Sequence, residues 1–267
     1  MSGQSWFLIE NTREKVARLP DLIDSELKKP VNATGTPGAF VLGRDVTIAE
    51  ARVSEKRKIS SREKQARLLH HLANIELQAM ELAARTLCEF PQAPQDFREQ
   101  LAEIAIGESR HLILCLEGLD HLGFKWGDWP VHLVLWNAVT ADDSLLDRVL
   151  IVHRYLEGSG LDAGDAILRR LIGAEDKIAR RAVEVIVREE VDHVLFGSRW
   201  YKTFVLEQKL DIEKDFSARI SRIAQLVPKR EKIARELRLK AGFTEFEIAE
   251  MEKHQNVREP LKAFVGS

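Results

Sequence analysis

Two Glu-x-x-His strings, Glu108 to His111 and Glu190 to His193, each follow a lone acid at the distance of one helix hairpin. Glu76 lies 32 residues before Glu108, and Glu157 lies 33 before Glu190. On an α-helix a spacing of three puts both side chains on one face, ~5–6 Å apart. All six residues fall on apolar helical stripes. The first reads Leu69, Leu72, Ala73, Glu76, Met80, Ala83, Leu87, and the second Leu101, Ile104, Ala105, Glu108, His111, Cys115, Leu119. The third is Leu146, Leu150, His153, Glu157, Gly160, Gly164, Leu168, and the fourth Val183, Ile186, Glu190, His193, Gly197, Trp200, Phe204. Recurrence at three and four residues is the pattern of a buried helix face.

The turns between these helices tie the six residues together. In an antiparallel hairpin, residues equidistant from the turn share a height. Glu76 and Glu108 have their midpoint at residue 92, inside Pro91-Gln92-Ala93-Pro94, and Glu157 and Glu190 have theirs near Gly173. Each acid therefore lies ~24 Å from its turn at 1.5 Å rise per residue. Four carboxylates in a low-dielectric core, left unneutralised, cost several kcal/mol per ion. Two divalent cations balance them, and two imidazoles complete the coordination, as in a two-metal four-helix bundle. Oxygen and imidazole donors select iron, with manganese second, and the lack of cysteine ligands argues against structural zinc. Glu108 and Glu190 are expected to bridge the metals, with Glu76 and Glu157 binding terminally. The competing reading is a set of buried salt bridges.

The fold expected is all-α. A helix from about Asn11 to Lys28 and a Pro/Gly/Thr-rich arm make residues 1–45, a four-helix bundle 46–210, and shorter amphipathic helices 211–267. Ser60 and Glu63 have capping-box spacing at the start of the first long helix. About twenty residues (124–143) form a long crossover between helices two and three, and no segment shows strand alternation. The chain has no 18-residue apolar run and its start does not read as a secretory signal. Cys88 and Cys115, its only cysteines, read as reduced packing residues of a cytoplasmic protein. A net charge of −2 gives no polyanion-binding field.

The strings HHLANIELQAMELAART, EFPQAPQDFREQLAEIAIGESRHL, LGFKWGDWPVH, LEGSGLDAGDAILRRL and VREEVDHVLFGSRW resemble the ferritin-like family called domain of unknown function 455 over roughly residues 45–210. The resemblance implies a ferritin-like bundle with a carboxylate-bridged two-metal centre, and all six positions of the ferritin-like metal pattern are filled. The expected function is oxidation or hydroxylation of an organic small molecule using O₂, drawing on an electron donor, in a monomer or small homo-oligomer. One alternative is ferroxidase or iron-handling activity, or peroxide removal by a dimanganese centre. Long segments flanking the bundle argue against a storage shell. A second alternative is a binding or scaffold protein whose metal only stabilises it.

Other residues were weighed for the same site. His153, one turn before Glu157, reads as a core histidine, a partner of the ligands, or a further ligand. His70 and His71 read as surface residues or partners of ligands. Gly158, Gly160 and Gly164 each weaken a helix by ~1 kcal/mol relative to alanine. They mark either open volume beside the metals, a π-bulge, or close helix packing. Tyr155 belongs to a different face from Glu157. Trp200 sits two turns past His193, as core packing or an electron route. The crossover tryptophans Trp126, Trp129 and Trp136 read as a hydrophobic cover. The basic stretch 228–240 reads as a solvated helix, a tRNA contact being the weaker reading.

Overall fold

Pro20 shapes the N-terminal arm. In place of one helix from Asn11 to Lys28, the chain forms α1 (Gly3–Phe7), α2 (Thr12–Ala17) and α3 (Leu19–Leu27). Proline early in α3 lacks the N–H that a continuous helix would use, and Arg18 closes α2 as its C-cap. Helix α1 was not anticipated. Ser2 caps it, and its Trp6 and Phe7 are fully buried. These positions come from a computed structural model, which describes residues 2–30, 32–35, 40–50, 59–173, 177–226 and 231–255.

Helices α4 (Arg62–Glu89) and α5 (Gln95–Leu122) form the first long hairpin, around Pro91 and Pro94. The start of α4 is one residue later than expected. Ser61, not Ser60, is the N-cap, and its hydroxyl accepts from the Lys64 N–H at 3.3 Å. No capping box closes; Glu63 pairs with Arg67 instead. Gly123 ends α5 in the left-handed region, φ 81°, where a Cβ is unfavourable. The arm is anchored on α4 by Lys15, whose Nζ lies 2.9 Å from Glu81, and by Arg44 on the same buried carboxylate.

The crossover 124–143 is irregular apart from one 3₁₀ turn, Trp136–Ala138. Its backbone is fixed by α4 side chains. The Gln78 amide donates to the His132 carbonyl at 2.9 Å and accepts from Leu135 and Trp136 N–H. His70 is neither a surface residue nor a neighbour of the acids. It is buried, accepts the Gly127 N–H at 3.1 Å and stacks on Trp126. Trp129 lies beneath Arg67 and Trp136 beneath Arg85.

The third long run comprises α6 (Leu145–Arg148), a π-helical segment (Val149–Leu156) and α7 (Glu157–Arg170). Helix α8 (Ile178–Glu207) packs against α4, α5 and this third run. Helices α9 (Ile212–Leu226), α10 (Arg235–Lys240) and α11 (Glu245–Gln255) follow. The basic stretch is only partly helical where described, and it is not simply solvated: Arg238 is fully buried against Asp162 at 2.7 Å. One contiguous apolar cluster runs from Trp6 through the four long runs to Met251. Among the described residues there is no strand beyond an isolated bridge between Ile48 and Val131. No described helix is long and apolar enough to cross a membrane. Cys88 and Cys115 are buried free thiols.

Candidate metal centre

The two Glu-x-x-His strings meet. Glu108 and His111 of α5 face Glu190 and His193 of α8. One ligand atom from each of these four buried residues lies within 4.8 Å of every other. Glu108 sits between the imidazoles: its Oε1 is 2.8 Å from His193 Nδ1 and its Oε2 is 3.5 Å from His111 Nδ1. Glu190 Oε2 lies 3.3 Å from His193 Nδ1. Glu76 of α4 joins from the side, with Oε2 at 3.5 Å from His111 Nδ1. Glu157 is buried at the start of α7 and is bonded to His153 Nδ1 at 2.7 Å. The sequence pattern thus places all six acids and imidazoles in the core, four of them as one tight group.

The charges show that such a group needs positive charge at its centre. Burial disfavours imidazolium, yet the adjacent carboxylates outweigh it, raising His111 to about 11 and His193 to about 12. Burial also opposes ionisation of Glu108, but His193 and His111 together hold it below the usual carboxylate range. Burial, then repulsion from Glu108, pushes Glu190 up to about 7. Glu76 and Glu157 are raised further, chiefly by burial. His153 is lowered to about 3 by burial and by His193, so it stays a neutral imidazole. Protons on two imidazoles here take the place of other positive charge.

Four buried polar atoms of the group have no hydrogen-bond partner: Glu108 Oε2, His111 Nδ1, His153 Nε2 and Glu157 Oε2. Each is a lone-pair donor of the type that ligates hard and borderline divalent cations. Orphaned buried polar atoms are rare and destabilising. A cation between α5 and α8 would satisfy Glu108 Oε2 and His111 Nδ1, so the residues of these two helices fit a metal.

Two partners escaped the sequence reading. Glu189, half-exposed, accepts from His111 Nε2 at 3.1 Å. With Nε2 held by that bond, Nδ1, directed at Glu76 and Glu108, is the nitrogen that would give up its proton to a metal. The available signal was its place directly before Glu190. Gly107 lets His193 approach α5, since a Cβ there would lie 2.8 Å from His193 Nε2.

The glycines after Glu157 open no volume beside the acids. A Cβ on Gly158 would overlap the Arg238 guanidinium, and one on Gly164 would overlap Val187. Both allow close packing. Gly160 is exposed and meets nothing, because α7 buries the side that faces α8 and α10. A π-helical segment does occur, but it precedes Glu157 and contains His153. Tyr155 is buried, and burial raises it to about 12 against the opposing charge of Arg238, with Asp162 adding a smaller rise; both partners lie on the side of α7 and α10. Trp200 donates to Gln100 at 3.1 Å and packs on Phe97 and Phe204, away from the acids. Phe97 in turn stacks on Phe196, which meets His153 edge-on. His71 is exposed and faces the His132 ring.

The fold and this cluster define an all-helical protein with a buried carboxylate–imidazole group that could hold a metal ion. The chain belongs to the family described as "Protein of unknown function (DUF455)", whose model matches residues 9–249. An "Uncharacterized protein" of Haemophilus influenzae is 31% identical over 219 residues, covering 79% of this chain and 74% of its own length. No solved structure matches.

Proposed function

We propose that the four long helical runs are a ferritin-like bundle holding two metal ions, iron before manganese, and that the protein is an O₂-dependent oxidoreductase acting on an organic small molecule. The observation that carries this reading is the group of Glu108, His111, Glu190 and His193 within 4.8 Å, buried and with unpartnered donor atoms. Glu108 faces both imidazoles and is the residue best placed to bridge. Glu190 would share that role, with Glu76 and Glu157 as outer carboxylates. Held by these residues, two reduced irons would supply the electrons for chemistry with O₂.

The chain's own part is positioning and exclusion of water. Glu189 orients His111, and His153 fixes the rotamer of Glu157. All six cluster residues are at most 9% exposed, which keeps bulk water out and strengthens every charge interaction inside. Glu189 is where this network reaches solvent.

The test is anaerobic loading with Fe(II), followed by elemental analysis and exposure to O₂. Two irons per chain, O₂ uptake and an oxidised di-iron absorption band are expected. Glu190→Ala should lose most of the bound metal. Unchanged stoichiometry in that variant defeats the ligand assignment; metal without O₂ uptake leaves only a metal-stabilised scaffold.

A further inference from the structure

At the end of the core where α4 and α8 begin and α5 ends, there is a cleft of ≈ 570 Å³. Its walls carry Arg62, Lys177, Arg181 and His121, with no acid among the described lining residues. Other arginines on these helices are neutralised locally: Arg67 by Glu63, and Arg180 by Glu184. Arg62, Lys177 and Arg181 have no ion pair among the described residues. Arg62 donates to the His121 carbonyl at 3.3 Å. Three cations are therefore left facing one cavity.

Two of the three helix ends here add to this charge, while the carbonyl end of α5 opposes it and is met by Arg62. Both α4 and α8 present their N-termini here, where first-turn N–H groups lack partners within the helix and the peptide dipoles point positive. Ser61 Oγ takes the N–H of Lys64, while α8 begins at Lys177 with no side-chain cap. Such ends favour anions.

The decisive feature is Gln65. Its side chain lines the cleft, the residue is only 1% exposed, and neither its amide nitrogen nor its amide oxygen has a hydrogen-bond partner. A buried amide with both atoms unpartnered is rare in folded proteins. It supplies one donor and one acceptor to whatever fills the cavity. Cations alone would suit any anion. The amide selects one that carries an oxygen acceptor and a hydroxyl or protonated oxygen together.

We propose that this cleft binds a soluble phosphorylated small molecule. Its phosphoryl oxygens are held by Arg62, Arg181 and Lys177 between the two helix N-termini, and Gln65 pairs with an oxygen and a hydroxyl of the same ligand. Planar guanidinium groups match phosphate oxygens two at a time. The cavity falls within the size range of small-molecule pockets, about 300–1,000 Å³, which leaves room for an organic moiety beyond the phosphate. Gln65 precedes Glu76 by eleven residues on α4, ~16 Å along the axis at 1.5 Å per residue. The site is thus separate from the carboxylate cluster, and the proposal does not rest on the metal reading.

The test is calorimetric titration of the full chain with pyrophosphate and with inorganic phosphate, at fixed ionic strength, with chloride as control. One saturable site per chain is expected, tighter for pyrophosphate and absent for chloride. Arg181→Glu should abolish it. Gln65→Leu, which removes only the unpartnered amide, should weaken it about tenfold, the effect of one hydrogen bond to a charged group. Arg181 is exposed and Gln65→Leu adds no polar group to the core, so both variants should keep the helical circular dichroism of the parent. Absence of saturable binding by the parent overturns the proposal. So does equal binding by Gln65→Leu, which would reveal only diffuse attraction. Sedimentation with anionic lipid vesicles, without binding of either soluble probe, would assign the charge to a membrane surface instead.

Discussion

An imidazole that ligates through Nδ1 needs an acceptor for its Nε2 proton, and Glu189 provides one for His111 at 3.1 Å. Loss of such a partner typically weakens metal binding 10–100-fold without removing a ligand. Glu189→Ala should therefore lower metal affinity by about that factor while full stoichiometry is still reached at saturation, and Glu189→Gln should fall between. Competition against a chromogenic chelator measures both; equal affinities would show that the bond is incidental. The same imidazoles set the pH dependence. His111 and His193 are raised to about 11 and 12 in the metal-free protein, so both carry protons at neutral pH that a metal must displace. Apparent affinity should rise with pH, by about two logarithmic units per pH unit from the imidazoles and more where Glu76, Glu157 and Glu190 also give up protons, with matching proton release. Titrations in buffers of different ionisation heat, between pH 6 and 8, detect it. A flat profile would mean that the imidazoles are not ligands. At this scale the sequence was informative where residues repeat at helical spacing, as Glu108, His111, Glu190 and His193 do. Glu189 stayed hidden because its contact crosses between helices, and spacing along one helix carries no such information.

The third long run shows what periodicity can and cannot convey about an element. Its existence and limits follow from the apolar stripe and from Gly173, but its π-helical part does not. Residues Val149 to Leu156 are buried on every side, so VLIVHRYL has no polar face from which to read a phase. The adjacent serines at 60 and 61 likewise left the α4 cap ambiguous by one residue. The π segment is held against α8 at Gly197, where a Cβ would lie 2.7 Å from the His153 carbonyl oxygen and 2.8 Å from its carbon. Backbone cannot rotate away, so Gly197→Ala must spread the two helices. We expect a loss of about 1–3 kcal/mol in urea unfolding, the range for overpacked cores. An unchanged midpoint would mean that the close approach relaxes freely. The crossover responds to acid instead. Burial lowers His70 to about 4, because its ring must stay neutral to accept the Gly127 N–H. Its contribution is complete above the unfolded value of 6.5 and is lost as pH falls from there toward 4. Trp126 stacks on that ring, so its fluorescence in the folded protein should change as the ring protonates near pH 4, and His70→Gln should remove the change.

Across the whole molecule, each added segment is fastened to a long helix by a buried charge. Glu81 of α4 takes Lys15 and Arg44 of the arm, and Glu89 of α4 takes Arg148 of the third run at 2.6 Å. The C-terminal helices hold the third run twice. Arg238 pairs with Asp162 and donates to the Arg154 carbonyl at 3.1 Å, in the π segment. Arg154 itself makes two bonds of 2.8 Å to Glu247 of α11 and lies over the rings of Tyr201, Phe216 and Phe243. None of this was legible in the sequence. Arg238 sits in a basic stretch that reads as solvated, and Glu247 lies in a helix that reads as amphipathic, where an acid is assigned to the solvent face. Only the tertiary partner reveals that either is buried. A buried pair is a poor source of net stability, but removal of one member leaves an uncompensated charge, at a cost of about 3–5 kcal/mol. Glu247→Ala should therefore destabilise the protein by about that amount, whereas Arg154→Met combined with Glu247→Leu should lie near the parent. Denaturant unfolding of Arg154→Met, of Glu247→Leu and of the double variant gives the coupling directly. Because Arg154 adjoins His153, the Glu247→Ala protein should also lose metal affinity while the double variant keeps it. If Glu247→Ala unfolds like the parent, the C-terminal helices merely rest on the core. If it is destabilised but holds metal as tightly, they brace the fold without reaching the centre.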